Sequence, residues 1–158
     1  MRAPPDIRVQ AEPFDAAREC AAITEAQPGI GALVTFTGLC RHEGGRLEAL
    51  ELQHYAGMAE AQMRRIAEDA CKRWPLDALA VIHRHGLIRP GDGIVLVVAA
   101  SAHRRAAFEA ADFMMDYLKT SAPFWKREHL ADGTLGAWVA ANDADMRDAD
   151  RWLDTADR

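Results

Sequence analysis

The sequence predicts an α+β protein, a mostly antiparallel sheet covered by two or three helices. Three observations carry that expectation. Short apolar runs with strand-like spacing recur along the chain. Two long segments place their apolar residues on one helical face. The runs 79–85 and 94–100 are joined through Pro90-Gly91-Asp92-Gly93, too short a link for the crossover that parallel strands need, so they form a hairpin.

Taken in order, Ile7 to Gln10 reads as a short strand after a proline-rich start. Pro13-Phe14-Asp15 opens a helix to about Glu25, and Gln27-Pro28-Gly29 breaks it. Ile30 to Thr37 is the next strand, followed by the loop Arg41-His42-Glu43-Gly44-Gly45. From Leu47 to Tyr55, Leu50 and Leu52 alternate with Glu51 and Gln53, the period of a half-buried strand. Between Met58 and Trp74 the apolar positions 63, 66, 67, 70, 71 and 74 make one helical face, which Pro75 ends. Arg104 to Lys119 is a long helix with Ala107, Ala110, Phe113, Met114, Tyr117 and Leu118 inward, closed by Pro123. Phe124 to Glu128 and Leu135 to Val139 are extended. Residues 1–141 read as one domain. Residues 142–158, with six aspartates and three arginines, read as an acidic tail or loosely docked helix.

A net charge of -5 over 158 residues argues against a nucleic-acid coat or a polybasic membrane binder. Cys20, Cys40 and Cys71 are an odd count without CxxC spacing, which suits free thiols in a reducing compartment. The start Met-Arg-Ala-Pro-Pro-Asp lacks the apolar run of a signal peptide, and the longest apolar run, Ile94 to Ala100, is far short of a membrane span. The expected location is the cytoplasm. Phosphate-loop, dinucleotide, zinc-protease and serine-hydrolase motifs are all missing.

Of 19 basic residues only Lys72, Lys119 and Lys126 are lysine. Two of these flank the turn Pro123-Phe124-Trp125, where an amine on aromatic surface can serve as base or nucleophile. Lys119 also suits the negative end of a helix. Met115 shares its helical face, and Lys126 shares a strand face with Phe124 and Glu128. At Ser101-Ala102-His103-Arg104-Arg105 a strand turns directly into a helix. Its unpaired N–H groups, with His103 and Arg104, favour phosphate or carboxylate, against the alternative of solvated arginines. Cys40, beside Arg41 and His42, is either a low-pKa nucleophile or a small buried residue closing a strand. His83 and His85 face the same way on a strand, a metal pair or a half-exposed polar face.

Several blocks in sequence order resemble one family: Val34-Thr35-Phe36-Thr37-Gly38 with Arg41, then Leu52-Gln53-His54-Tyr55-Ala56-Gly57-Met58, then Val81-Ile82-His83-Arg84-His85-Gly86. Pro90-Gly91-Asp92, Ser101-Ala102-His103-Arg104, Met115-Asp116-Tyr117-Leu118-Lys119-Thr120 and Ala122-Pro123-Phe124-Trp125-Lys126-Arg127-Glu128 continue the series. The family is the catalytic, large subunit of molybdopterin synthase. The resemblance implies a hammerhead-type α+β fold and a homodimer within a heterotetramer, each end carrying a small ubiquitin-like sulfur-carrier subunit. That partner's C-terminal Gly-Gly thiocarboxylate would donate sulfur to cyclic pyranopterin monophosphate, with no metal or cofactor needed. It implies Lys119 and Lys126 as catalytic. Leu39, Cys40, Arg41, His103, Arg104, Lys126, Arg127 and Glu128 would bind substrate, and Phe36 and Met115 would line the pocket. Leu39 stands where relatives often carry a basic residue, which removes one cation. A straight helix over 104–119 would hold its ends roughly 22 Å apart, so the site is expected to be shared between protomers. Two other readings compete. One is a non-catalytic dimeric adaptor binding a glycine-tailed partner. The other is a metal hydrolase built on His83 and His85.

Overall fold

A computed structural model of the chain describes residues 2–140, 147 and 150–153. Strand β1 (Asp6–Gln10) and helix α1 (Ala16–Ala26) open the chain, with Asp15 capping α1 by accepting from the Arg18 N–H at 3.1 Å. β2 (Ala32–Leu39), β3 (Leu47–His54), α2 (Met58–Arg73), β4 (Leu76–Arg84), β5 (Gly86–Ile88), β6 (Gly93–Ser101), α3 (Arg104–Thr120) and β7 (Phe124–Leu130) follow. The expected single sheet is two. One has the order β1-β4-β6-β2, the other β5-β3-β7. The 79–85 and 94–100 runs do pair antiparallel, as β4 with β6. The chain between them does more than turn, because β5 crosses to pair with β3 in the second sheet. β1 departs from the antiparallel rule and pairs parallel to β4.

The main core lies between the first sheet and helices α2 and α3. Met63, Val81, Val97 and Met114 are fully covered there. β4 and β6 are central strands buried on both faces, so they read as continuous apolar runs, while β2 is an edge strand with Thr35, Phe36 and Thr37 exposed. A smaller core of Cys40, Leu47, Leu52 and Ile88 packs at the junction of the two sheets. α3 follows β6 after two residues and packs back over β6 and β2, so its C-terminus returns toward the Gly93 end of β6. Phe124 to Leu130 is a strand as expected, but Leu135 and Val139 contribute only isolated bridges, to His129 and Lys126.

Most of the 142–158 segment lies outside the described residues. Within it, Arg151 and Trp152 dock on α3, where the Asp116 carboxylate accepts from Trp152 Nε1 at 2.6 Å and from Arg151 Nη2 at 2.7 Å. Trp152 also packs edge-on to Trp74 and Phe113. Among the described residues, no helix is long and apolar enough to cross a membrane.

Candidate active site

The turn from β6 into α3 is built by close packing. Gly31 passes so near the Ala102 carbonyl that a Cβ would collide with it, and the Gly31 N–H donates to Ser101 O at 3.0 Å. Ser101 Oγ donates to Pro75 O at 2.9 Å and accepts from the His103 N–H at 3.2 Å. His103 is the N-cap of α3 but makes no side-chain cap bond, so the first-turn N–H groups have no side-chain acceptor from the cap. Arg104 and Arg105 are exposed beside them. With Phe108 and Glu109 they line an open cleft of about 330 Å³.

A second group of predicted residues gathers at the other end of β2. The pairing of β2 with β6 slips between Gly38 and Leu39, a bulge that re-aims the segment leading to Arg41. Backbone bonds then clip that segment to the next loop: the Cys40 N–H donates to Asp92 O at 2.9 Å and the Gly91 N–H to Cys40 O at 2.8 Å. Cys40 is buried, and burial pushes its thiol pKa up. The low-pKa nucleophile reading is therefore set aside, and the residue closes the strand over the small core. Arg41 is 83% exposed and meets Glu43 at 3.2 Å. Cys40, Arg41, His42, Glu43, Gly44, Pro90 and Gly91 line a cleft of about 580 Å³, large enough for a small-molecule ligand. Leu39 and Phe36 are exposed nearby on the β2 edge.

β7 supplies the rest. Lys126 is exposed and lies opposite Leu52, which packs in the same small core as Cys40. Glu128, on the same strand face, meets Arg46 at 2.8 Å, on the loop that follows Arg41. Arg127 points to the other face. There it donates to both Glu51 oxygens at 3.0 and 2.9 Å and lies 4.5 Å from the Trp138 ring centroid. His129 joins the same carboxylate at 3.0 Å. Arg127, then His129, hold the Glu51 carboxyl below its ordinary pKa. Arg127 is thus committed to Glu51. Lys119 is exposed in the last turn of α3, and Met115, one turn earlier, packs half-buried against the main core.

The predicted residues therefore form two groups. α3 carries Lys119 back toward the end of β6 where Leu39, Cys40 and Arg41 sit, and β7 brings Lys126 and Glu128 beside the same small core. His103 and Arg104 lie at the opposite end of α3, about 24 Å away along a 17-residue helix. Glu51 and Arg46, which hold Arg127 and Glu128, were missed. Glu51 reads in sequence as the solvent side of an alternating strand, and only the register against β7 reveals its partners.

His83 is not half-exposed. Its ring is buried and stacked on Phe124 at 3.7 Å between centroids, and its Nδ1 lies 2.8 Å from Arg84 O. His85 packs on His54 instead. Among the described residues, no three His, Cys, Asp or Glu side chains gather as a ligand set, so the metal-hydrolase reading lacks its third donor.

Fold and site together define an α+β protein with exposed Arg104 at one end of α3 and exposed Lys119 at the other. The family described as MoaE protein matches residues 9–121. A Mesorhizobium japonicum molybdopterin synthase catalytic subunit is 60% identical over 153 residues, covering 97% of this chain and 96% of its own. The solved molybdopterin cofactor biosynthesis protein E of Burkholderia multivorans is 42% identical, with a TM-score of 0.82 over 96% of this chain and 98% of its own. A Helicobacter pylori chain, 21% identical, shares the fold at a TM-score of 0.68 over 89% of this chain and 92% of its own. It was solved in a complex of subunits 1 and 2 of molybdopterin-converting factor. The chain belongs to the MoaE family of molybdopterin synthase catalytic subunits.

Proposed function

We propose that the chain transfers sulfur from the thiocarboxylated C-terminus of a small ubiquitin-like subunit to cyclic pyranopterin monophosphate. Two transfers build the dithiolene of molybdopterin. The observation that carries this reading is the cationic end of the molecule. Arg41 is 83% exposed at the open 580 Å³ cleft, and exposed Lys119 and Lys126 stand on the last turn of α3 and on β7. Thiocarboxylate and phosphate diester are both anions, so cations are needed to bring them together and offset their repulsion. Lys119 is the essential amine. Lys126 binds substrate and supplies a proton.

The phosphate falls to His103, Arg104 and the open N-terminus of α3. One chain holds these a helix length from Lys119, so the complete site takes 103–104 from one protomer and 119–126 from its partner. The protein is accordingly a homodimer within a heterotetramer, with a small subunit at each cleft. The test is turnover of cyclic pyranopterin monophosphate with thiocarboxylated small subunit. Molybdopterin is the expected product. Binding of both components without product would favour a dimeric adaptor that clamps a glycine-tailed partner.

A further inference from the structure

We propose that the stacked rings of His83, Phe124, His54 and His85 are a positioning device that sets Lys126 for the reaction. The inference rests on the catalytic reading of Lys126 given above.

The four rings join the two sheets. His83 belongs to β4 in the first sheet, and Phe124 is the first residue of β7 in the second. Their rings stack at 3.7 Å with planes 17° apart. Phe124 lies opposite His54 of β3, with ring centroids 5.9 Å apart and planes inclined by 26°, and His54 meets His85 at 4.5 Å. Among the described residues these are the ring contacts that connect the second sheet to β4 and the residue just beyond it.

A ring at position 83 is useful because it offers the flat face on which Phe124 stacks. A carbonyl oxygen only accepts, so the Nδ1 of His83 carries the proton that it donates to Arg84 O. The backbone there is itself held. The buried Arg84 guanidinium donates to Ala11 O at 2.8 and 3.0 Å and to Gly93 O at 3.1 Å. A leucine would fill the space at 83 without presenting a plane.

Position is passed on through β7. Phe124 and Lys126 are two residues apart on one strand face, about 7 Å along the strand. Lys126 is bonded on its other edge to Val139, N–H to O at 3.0 Å and O from N–H at 2.8 Å. A strand paired on both sides moves as a unit. A shift of the Phe124 ring therefore displaces the Lys126 amine, and errors of about 1 Å in such groups can cost roughly 100-fold in rate. Burial holds His83 neutral down to about pH 4, so no charge disturbs the stack near neutrality.

The experiment compares His83→Leu, His83→Phe, Phe124→Leu and Lys126→Ala, with each of the two leucine variants combined with Lys126→Ala, in the synthase assay. His83→Leu is expected to lower kcat by roughly ten- to 100-fold with KM little changed, and His83→Phe, which keeps a ring, to restore most of the loss. Added to Lys126→Ala, His83→Leu should cost nothing further, because the amine it positions is gone. An equal fractional loss in both backgrounds, or a His83→Phe protein no better than His83→Leu, overturns the positioning role and leaves the Lys126 reading intact. Full turnover by Lys126→Ala overturns that reading, and this one with it. If His83→Leu does not fold, Phe124→Leu breaks the same stack from the second sheet. Hydrogen exchange gives a readout independent of activity. The Lys126 amide should exchange faster in the leucine variants while those of Val97 and Val98 in β6 stay protected, and an unchanged Lys126 amide contradicts the proposal.

Discussion

At the scale of single residues, lysine and histidine matter here for different reasons. Lys119 and Lys126 stand out because, apart from Lys72 on α2, every other cationic side chain of the chain's 19 Lys and Arg residues is arginine. Arginine keeps the charge but cannot deprotonate, so Lys119→Arg separates the two properties. Loss of most turnover with substrate binding retained is expected, and a Lys119→Arg protein with full activity would sink the amine role. His83 acts through burial. Its folded pKa, about 4, is below the ordinary value of 6.5, so its contribution to stability is complete above pH 6.5 and lost as pH falls toward 4. That gap corresponds to about 3 kcal/mol. Urea unfolding should accordingly show stability declining between those pH values in the wild type, with a flatter profile in His83→Phe. Cys40 illustrates the opposite outcome, since its burial raises the thiol pKa and leaves a packing residue where the sequence also allowed a nucleophile.

Between elements, register does the work that spacing along the chain cannot. β3 lies beside β7 so that Glu51 faces Arg127, with His129 next to it. A charged pair of this kind, partly shielded from water, loses about 1–3 kcal/mol when one partner's charge is removed. Glu51→Gln should therefore be less stable at pH 7. Because Arg127 lowers the Glu51 pKa, the wild type loses this advantage as pH falls through that lowered value, so the two proteins should converge in acid. Equal stability at neutral pH would show that the pair contributes nothing. The elements themselves were largely legible, for each is announced locally: Asp15 caps α1, apolar spacing marks α2 and α3, and Pro75 and Pro123 end them. What escaped was the short β5, whose three residues carry no periodicity and gain a strand only by pairing with β3.

For the whole molecule, the decisive quantity is a length. α3 runs unbroken from Arg104 to Thr120 and separates the 330 Å³ cleft at Arg104 from the 580 Å³ cleft at Arg41. If each site borrows Arg104 from one protomer and Lys119 from the other, inactive Arg104→Ala and inactive Lys119→Ala proteins should complement when their subunits exchange. Random pairing makes half the dimers mixed, each with one intact site of two, so about a quarter of wild-type activity should return. No recovery after proven exchange would count against sharing. By itself the sequence determined the α+β class, the positions of helices and most strands, and the family, because periodicity, caps and motif blocks are local properties of the chain. Only the tertiary structure decided that the strands divide into two sheets, that Arg127 is held by Glu51, that His83 is buried in a ring stack, and that the predicted cations fall at opposite ends of α3. Those depend on which strands lie side by side and how far a helix reaches, and both arise from contacts between residues distant in the chain.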